Sequence, residues 1–354
     1  MLRRAMIWIT AIGLVASQGA PAETQAQESD QPLNIVTSFS ILDDLVRQVG
    51  GEAIVTHPLV GAGADSHTYE PAPADVVTLA EADLVFEIGL GFETWLDGIY
   101  ESSGSDAARI IVSEPVEPLG FDDGHQEDEE HDEANHEQEE HEEEHDEDAA
   151  DDHDEDAADD HDDEAGEGHE GHEHGEYDPH IWHDVTNAIL MVETIRDALA
   201  DADPANAATY EANTAAYIAE LEELDAWVQE QVSALPDDQR KLVTSHEALG
   251  YFANRYGFEI VGTAFGTLST EAGDPSAADI AALVAAIEAE NVNAIFAENV
   301  SNPAVMENIA AEAAVTLVPT LYTDSLGAPG SGVESYVYLI RANTTGIVAA
   351  LAGD

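Results

Sequence analysis

From Leu33 onward, short runs of β-branched and aromatic residues alternate with longer segments in which apolar positions recur at helical spacing. This alternation is typical of α/β domains, in which helices cover a largely parallel sheet. In the first half, the predicted strands are Leu33–Phe39, Ile54–Val60, Leu84–Gly89 and Arg109–Val112, and the predicted helices are Ile41–Val49, Ala74–Glu81 and Glu93–Tyr100. The pattern predicts an N-terminal α/β lobe over residues 31–200.

The same alternation of strand-like and helix-like segments is found in the last third of the chain. The predicted strands there are Lys241–Ser245, Glu259–Ala264, Ala294–Glu298 and Leu317–Leu321, and the predicted helices are Ala248–Tyr256, Ala277–Glu290, Pro303–Ala314 and Val333–Leu351. A second α/β lobe is therefore predicted over residues 240–354. A total of 354 residues is also the length expected of two domains.

Two helices are predicted between the lobes. Asp178-Pro179 and Asp203-Pro204 each place an N-capping residue before a proline, a pattern that starts helices. The first helix is predicted to end near Ala200. The second is predicted over 203–235, and a helix of that length would be roughly 45 Å long. We therefore expect two similar lobes with largely parallel sheets, joined by one long rigid helix.

One segment breaks the pattern of strands and helices. Between Asp122 and Asp178 there are 32 acidic residues, ten histidines and no lysine or arginine. Like charges and few large apolar side chains predict a disordered loop over 122–178 within the first lobe. Histidine-rich acidic tracts are typical of metal binding, and a solvated acidic spacer is the alternative.

The charge of the whole chain narrows the classes of partner. The net charge is −67, and Lys241 is the single lysine. Nucleic acid is excluded as a partner, because phosphate contacts need lysine and arginine. The acidic excess outside the loop suggests a surface adapted to high salt, where screening relieves self-repulsion.

The first residues are typical of a secretory signal. Arg3 and Arg4 precede an apolar run that is short for a membrane span, and Ala20-Pro21-Ala22 supplies small residues for cleavage. We predict a signal peptide over 1–22, with 26 as the alternative end and a short membrane anchor as the alternative function. The chain has no cysteine, so a metal site must use histidine and carboxylate ligands.

The histidines outside the acidic loop indicate where a binding or catalytic site is expected. They are His57, His67, His180, His183 and His246. His67 and His246 follow predicted strands, as does Asp324, and ligands bind beyond the carboxyl ends of strands in such sheets. His180 and His183 are predicted in the first turn of a helix, on one face. His57 is expected to be an ordinary surface residue.

Four segments resemble the metal-ligand motifs of the solute-binding proteins that supply zinc and manganese to ABC importers. These segments are Gly63–Pro71, Asp178–Trp182, Ser245–Phe252 and Tyr322–Gly327. The match is closest to the high-affinity zinc uptake proteins, which also carry an acidic, histidine-rich insert.

The resemblance implies a site between the lobes and a transport function. It implies His67, His180, His246 and Asp324 as ligands, and Zn²⁺ as the bound cargo. It further implies a periplasmic, monomeric protein without enzymatic turnover that delivers the ion to an ABC permease in the membrane. The acidic loop would then be a mobile, low-affinity collector of zinc near the cleft.

The choice of metal and of function leaves alternatives. Three imidazoles and one carboxylate suit four-coordinate Zn²⁺, whereas manganese-type relatives typically have a carboxylate at the third position. The first alternative is the same transport function with Mn²⁺ or Fe²⁺. A zinc-dependent hydrolase with Glu247 or Glu298 as base is another, although the sequence contains no HExxH motif. A third is adhesion or zinc storage by the loop. Three roles stay open for His183, namely a partner of a ligand, an auxiliary ligand or an exposed residue. For Glu298 the open role is to orient a histidine by accepting a hydrogen bond from its other ring N–H.

Overall fold

The structure is a computed structural model that describes residues 31–120, 177–271, 273 and 275–353. The predicted signal peptide and residues 122–176 of the predicted acidic loop lie outside these ranges. The last two residues of that predicted loop belong to the fold. Tyr177 pairs with Gly120 in an antiparallel bridge, and Asp178 is buried. The predicted loop end at 178 is therefore wrong by two residues, because Asp178 packs into the interior.

The N-terminal lobe is a parallel sheet flanked by helices. Its strands are β1 (Leu33–Phe39), β2 (Ile54–Val60), β3 (Leu84–Glu87) and β4 (Ala108–Ile111). Its first helices are α1 (Ser40–Gly50), α2 (Pro73–Ala80) and α3 (Leu96–Ser103). The strand order is β2-β1-β3-β4, and all three pairings are parallel.

The C-terminal lobe is also built from parallel strands and helices. Its strands are β5 (Lys241–Thr244), β6 (Glu259–Thr263), β7 (Ala294–Glu298) and β8 (Thr316–Leu321). Its helices are α6 (Gly250–Tyr256), α7 (Ala277–Ala289), α8 (Pro303–Ala313) and α9 (Tyr336–Ala352). Strand β5 pairs with β6 in parallel and β7 pairs with β8 in parallel, so this lobe has two two-stranded sheets where the first lobe has one of four strands. Strand β5 lies beside β7. The parallel strands and the helices between them confirm the predicted fold class.

The first of the two connecting helices starts later than predicted. Residues Ile181–His183 form a 3-10 turn, and α4 spans Val185–Ala202. Its N-cap is Asp184, whose side chain accepts a hydrogen bond from Thr186 N at 2.8 Å. The prediction that Asp178 starts the helix is wrong, because the Asp178 carboxylate binds His180 instead. His180 and His183 therefore do not share the first turn of an α-helix.

The long connecting helix α5 spans Ala207–Ser233, within the predicted range 203–235. At 27 residues it is about 40 Å long. It packs against α1, α4 and α9, so both lobes contact it along its length. Its buried positions are Tyr210, Thr214, Tyr217, Leu221, Leu224, Val228 and Val232.

One hydrophobic cluster runs through both lobes. It joins Phe39 of the first lobe and Leu224 of α5 to Phe252 and Leu321 of the second. Each lobe also has a smaller cluster of its own. A shared close-packed core resists large movements of one lobe relative to the other. In the described ranges, no helix is both long enough and apolar enough to cross a membrane.

Each lysine and arginine in the described ranges has a partner. Six of them lie within 4 Å of a carboxylate: Arg47, Arg109, Arg196, Arg240, Lys241 and Arg255. The seventh, Arg341, lies over the ring of Trp227 at 4.6 Å. These pairs leave a large excess of uncompensated carboxylates, given the net charge of −67.

We expect added salt to stabilise the protein. Raising NaCl from about 0.1 M to about 1 M shortens the Debye length from about 10 Å to about 3 Å, which weakens repulsion between carboxylates. Calorimetry should therefore give a higher Tm at the higher salt. Sucrose, which stabilises by exclusion rather than screening, is the control and should act more weakly. A Tm that stays constant or falls with NaCl would contradict this expectation.

Candidate metal centre

The four residues that the sequence singled out meet at one point between the lobes. Each offers one donor atom, and these atoms all lie within 4.8 Å of one another. His67 follows β2, His246 follows β5 and Asp324 follows β8, so three of the candidate ligands lie beyond carboxyl ends of strands. His180 lies between the antiparallel bridge at Tyr177 and the 3-10 turn.

The distances among the four donors match the edges of a small coordination polyhedron. Nε2 of His67 lies 3.3 Å from Nε2 of His180 and 3.7 Å from Asp324 Oδ2. Asp324 Oδ1 lies 3.5 Å from His180 Nε2, and Oδ2 lies 3.0 Å from His246 Nε2. A tetrahedral zinc ion with its usual bond lengths has ligands about 3.3 Å apart. The donors are thus spaced to hold one ion.

Several of these donor atoms make no hydrogen bond of acceptable geometry in the described residues, although His246 Nε2 and Asp324 Oδ2 lie within ion-pair distance. His246 Nε2 and both oxygens of Asp324 are buried without a hydrogen bond of acceptable geometry. Burying such atoms unsatisfied is destabilising, by roughly 1–3 kcal/mol for a neutral group and more for a charged one. A divalent cation among them would satisfy all three atoms at once, so the donor set fits a metal ion.

His180 is oriented by Asp178. Asp178 Oδ1 accepts a hydrogen bond from His180 N at 2.9 Å and lies 2.8 Å from Nδ1. A carboxylate at Nδ1 leaves Nε2 free to face the site. Gly250, the first residue of α6, permits this contact, because a Cβ there would lie 2.5 Å from Asp178 Oδ2. The sequence pattern Asp178-Pro179 predicts a helix start and gives no sign of this contact between Asp178 and His180.

His246 is oriented by Glu298 at the end of β7. Glu298 Oε2 accepts a hydrogen bond from His246 Nδ1, while Oε1 accepts from Ser245 N at 2.8 Å and His246 N at 3.1 Å. One carboxylate thus fixes both the ring and the backbone of His246. The role left open for Glu298 is therefore that of an orienting group.

Asp324 is fixed by a residue that sequence reasoning missed. Asn299 Oδ1 accepts a hydrogen bond from Thr323 N at 3.2 Å, and its Nδ2 donates to Ser325 O at 3.0 Å. The amide therefore brackets Asp324 on both sides. Its only sequence signal is its position next to Glu298, immediately after β7.

His67 packs edge-on against Phe92, with ring centroids 5.0 Å apart. Phe92 follows a tight loop in which Gly89, Leu90 and Gly91 all have positive φ angles of 81°, 54° and 79°. Glu93 holds this loop by accepting hydrogen bonds from Ile88 N and Gly89 N, and burial raises the pKa of Glu93 to about 7. Phe92 was not predicted, because the backbone of this loop brings it to the site.

The pKa shifts follow from burial and mutual charge. Burial lowers the pKa of His67 to about 3. Burial also lowers the pKa of His246, yet the carboxylates of Glu298 and Asp324 outweigh burial and place that pKa well above the ordinary value. Burial would raise the pKa of Asp324, but His246 and His180 outweigh it and hold the pKa well below its usual range.

The remaining candidates lie outside the four-donor cluster. His183 is completely buried near the site, and burial lowers its pKa to about 3, but its ring atoms are not part of the compact donor group. His57 is exposed on β2, as expected. Trp182 packs against His180 with ring centroids 5.3 Å apart, and Tyr251 donates a hydrogen bond to Asp178 O, so both side chains surround the site.

Two metal-binding proteins from other bacteria are similar in sequence to nearly the whole chain. It is 30% identical over 344 residues to the manganese-binding lipoprotein MntA of Halalkalibacterium halodurans, with 97% of each chain covered. It is 27% identical over 337 residues to the iron-binding protein YfeA of Yersinia pestis, covering 95% of this chain and 92% of YfeA.

The fold has a solved counterpart. The periplasmic zinc-binding protein TroA from Treponema pallidum superposes with a TM-score of 0.71 at 25% identity, covering 90% of this chain and 99% of TroA. Residues 35–350 match the family described as zinc-uptake complex component A, periplasmic. The chain therefore belongs to the ZnuA family of metal-binding, solute-binding components of ABC transporters.

Proposed function

We propose that this chain captures Zn²⁺ between its lobes and delivers it to an ABC permease, with His67, His180, His246 and Asp324 as the ligands. The protein would act as an exported periplasmic monomer. The observation that carries the proposal is the buried set of four donors, all within 4.8 Å of one another, several of which make no hydrogen bond of acceptable geometry.

The donor types favour zinc. Neutral imidazoles suit borderline metals such as Zn²⁺, whereas Mn²⁺ and Mg²⁺ sites are richer in oxygen. Asp178 and Glu298 each orient one imidazole, an arrangement that strengthens zinc ligands. The names of the relatives mention manganese, iron and zinc, so the metal must be tested directly.

The choice between zinc and the alternative cargo, Mn²⁺ or Fe²⁺, depends on whether Asp324 binds the ion through one oxygen or through both. Its Oδ1 lies toward His180 and its Oδ2 toward His246, so both oxygens have a neighbour among the histidines. Bidentate binding by this carboxylate would supply five donors, a number better suited to Mn²⁺ or Fe²⁺ than to structural zinc. Binding through one oxygen favours zinc.

A zinc-dependent hydrolase is a weaker alternative. Four protein donors leave no open position for the water that a catalytic zinc needs. Glu298 is engaged by His246 and by two backbone N–H groups, which makes it a poor general base. Family membership adds a further argument, because the relatives are transporter components.

Release of the ion would use small movements. Trp182 Nε1 donates to Thr323 O at 2.9 Å, and Tyr336 donates from its hydroxyl to Trp182 O at 2.7 Å. These bonds tie the His180 segment to the second lobe, next to Asp324. Small shifts of loops are therefore a more economical route than wide closure about a hinge.

The ligand assignment is tested by His246→Ala, with His57→Ala as the matched control on an exposed strand. We expect His246→Ala to lose at least about 100-fold in zinc affinity, more than the loss of an outer hydrogen-bond partner typically causes. His57→Ala should bind as the parent does. Calorimetric titration of the full chain with a competing chelator gives both affinities. Equal tight binding by all three proteins would refute the assignment.

The choice of zinc as the cargo is tested on the same unsubstituted protein. Zinc and manganese are offered together at fixed pH, and the tightly bound ion is identified after gel filtration. We expect zinc to displace manganese. Manganese displacing zinc would overturn the choice of cargo while leaving the capture role intact.

A further prediction concerns the number of protons that zinc binding releases in the Glu298→Gln variant. The carboxylates of Glu298 and Asp324 hold the pKa of His246 well above its ordinary value, so protons compete with a metal ion for the His246 ring. Affinity of the parent should rise with pH, and zinc binding should release protons. Glu298→Gln removes a charge that raises this pKa, so fewer protons should be released. It also removes an orienting carboxylate, so affinity at alkaline pH should fall about 10- to 100-fold.

Calorimetry in buffers of different ionisation enthalpy measures the protons released. Glu247→Gln is the matched control, because Glu247 is adjacent in sequence and makes no bond to the His246 ring in the described residues. Proton release that is the same in Glu298→Gln and the parent would contradict the assigned role of Glu298.

A further inference from the structure

One carboxylate joins the His67 loop to the opposite lobe. Asp65 Oδ1 accepts a hydrogen bond from His67 N at 2.9 Å. Asp65 Oδ2 accepts one from Thr270 Oγ1 at 2.5 Å, although the two residues are 205 positions apart. Asp65 lies in the β2–α2 loop of the first lobe, and Thr270 lies in the β6–α7 loop of the second.

The β6–α7 loop is in turn tied to the His246 segment. Phe265 N donates to Ser245 O at 2.9 Å, and Glu247 N donates to Thr267 O at 2.9 Å. These two bonds bracket His246 by its immediate neighbours. The Asp65–Thr270 bond therefore connects the loops that carry two predicted ligands from different lobes.

The other end of the His67 loop is also fixed to the second lobe. Gly63 N donates to Ser325 Oγ at 2.7 Å and to Leu326 O at 3.0 Å, in the segment that carries Asp324. The loop is thus held at Gly63 and at Asp65, on both sides of Ala64. His67 cannot move away from His246 and Asp324 unless the bond at Asp65 opens or the short segment from Asp65 to His67 distorts.

His67 is the candidate ligand nearest to solvent. Its side chain is 6% exposed, whereas those of His180, His246 and Asp324 are 0% exposed. Asp65 and Thr270 are themselves partly exposed, so water can compete for their hydrogen bond. A bond that water can replace is suited to opening and closing, unlike the buried bonds of Asp178 and Glu298.

We propose that Asp65 and Thr270 form a latch that holds His67 against the other three donors and sets the rate at which the metal leaves. This inference rests on the proposed role of His67 as a ligand. Asp65 and Thr270 are positioning residues, because neither contributes a donor to the four-atom cluster. The ion leaves when the latch opens and His67 withdraws toward solvent.

The test is the rate of zinc dissociation from the full chain after addition of excess chelator. Trp182, which contacts His180, supplies a fluorescence signal from the site. The slow phase that is absent in His246→Ala reports the ion between the lobes. Thr270→Val keeps the side-chain shape and removes the donor, so we expect dissociation to be about tenfold faster, the effect of losing one hydrogen bond to a charged acceptor.

Three further variants separate a latch from a general loosening of the loop. Thr270→Ser keeps the hydroxyl and should restore the parent rate. Ser269→Ala, the adjacent control, removes a bond that stays within its own loop and should also leave the rate unchanged. Asp65→Ala should accelerate dissociation more than Thr270→Val does, and adding Thr270→Val to it should change nothing further.

The outcomes separate failure of the latch from failure of the site. A parent-like rate in Thr270→Val, or equal acceleration in Thr270→Val and Ser269→Ala, would overturn the latch while leaving the zinc site in place. Independent, additive effects of Asp65→Ala and Thr270→Val would overturn it as well. Loss of the slow phase in the parent itself would instead refute the proposed site.

Discussion

Three imidazoles and one carboxylate converge with side chains that are 0–6% exposed, and their donor atoms lie as close as 3.0 Å to each other. Such a group is costly on its own, because several buried atoms lack a hydrogen bond of acceptable geometry. The surrounding structure holds it together through orienting carboxylates, Asp178 for His180 and Glu298 for His246. The proposed cation would bind all four donors and offset this cost.

The architecture supplies the rigidity that this convergence requires. The proposed ligands come from both lobes, so binding one ion would require the two lobes to keep a fixed relative position. A core cluster that runs from Phe39 through α5 to Leu321 provides that fixed position. The four-stranded sheet of the first lobe and the two parallel strand pairs of the second place His67, His246 and Asp324 beyond carboxyl ends of strands. Mobility is then left to the loops, above all the one that carries His67.

Much of the scaffold could be predicted from local sequence, and less of the site. Strands β1, β2 and β7 have the predicted bounds, because each is a short, mostly apolar run that differs from the sequence after it. The four proposed ligands were identified by motif resemblance and by their positions after strands. The partners of those ligands were harder to predict. Asp178 resembled a helix cap, and the bond between Asp65 and Thr270 joins residues with no sequence relation.

The most direct test is an anomalous diffraction map at the zinc edge, from crystals of the full chain grown with one equivalent of Zn²⁺. We expect one dominant peak between the lobes, about 2.0–2.1 Å from Nε2 of His67, His180 and His246 and from one oxygen of Asp324. No water should be bound to that ion. A dominant peak elsewhere in the chain, or an ion bound by fewer than three of these imidazoles, would contradict the central claim.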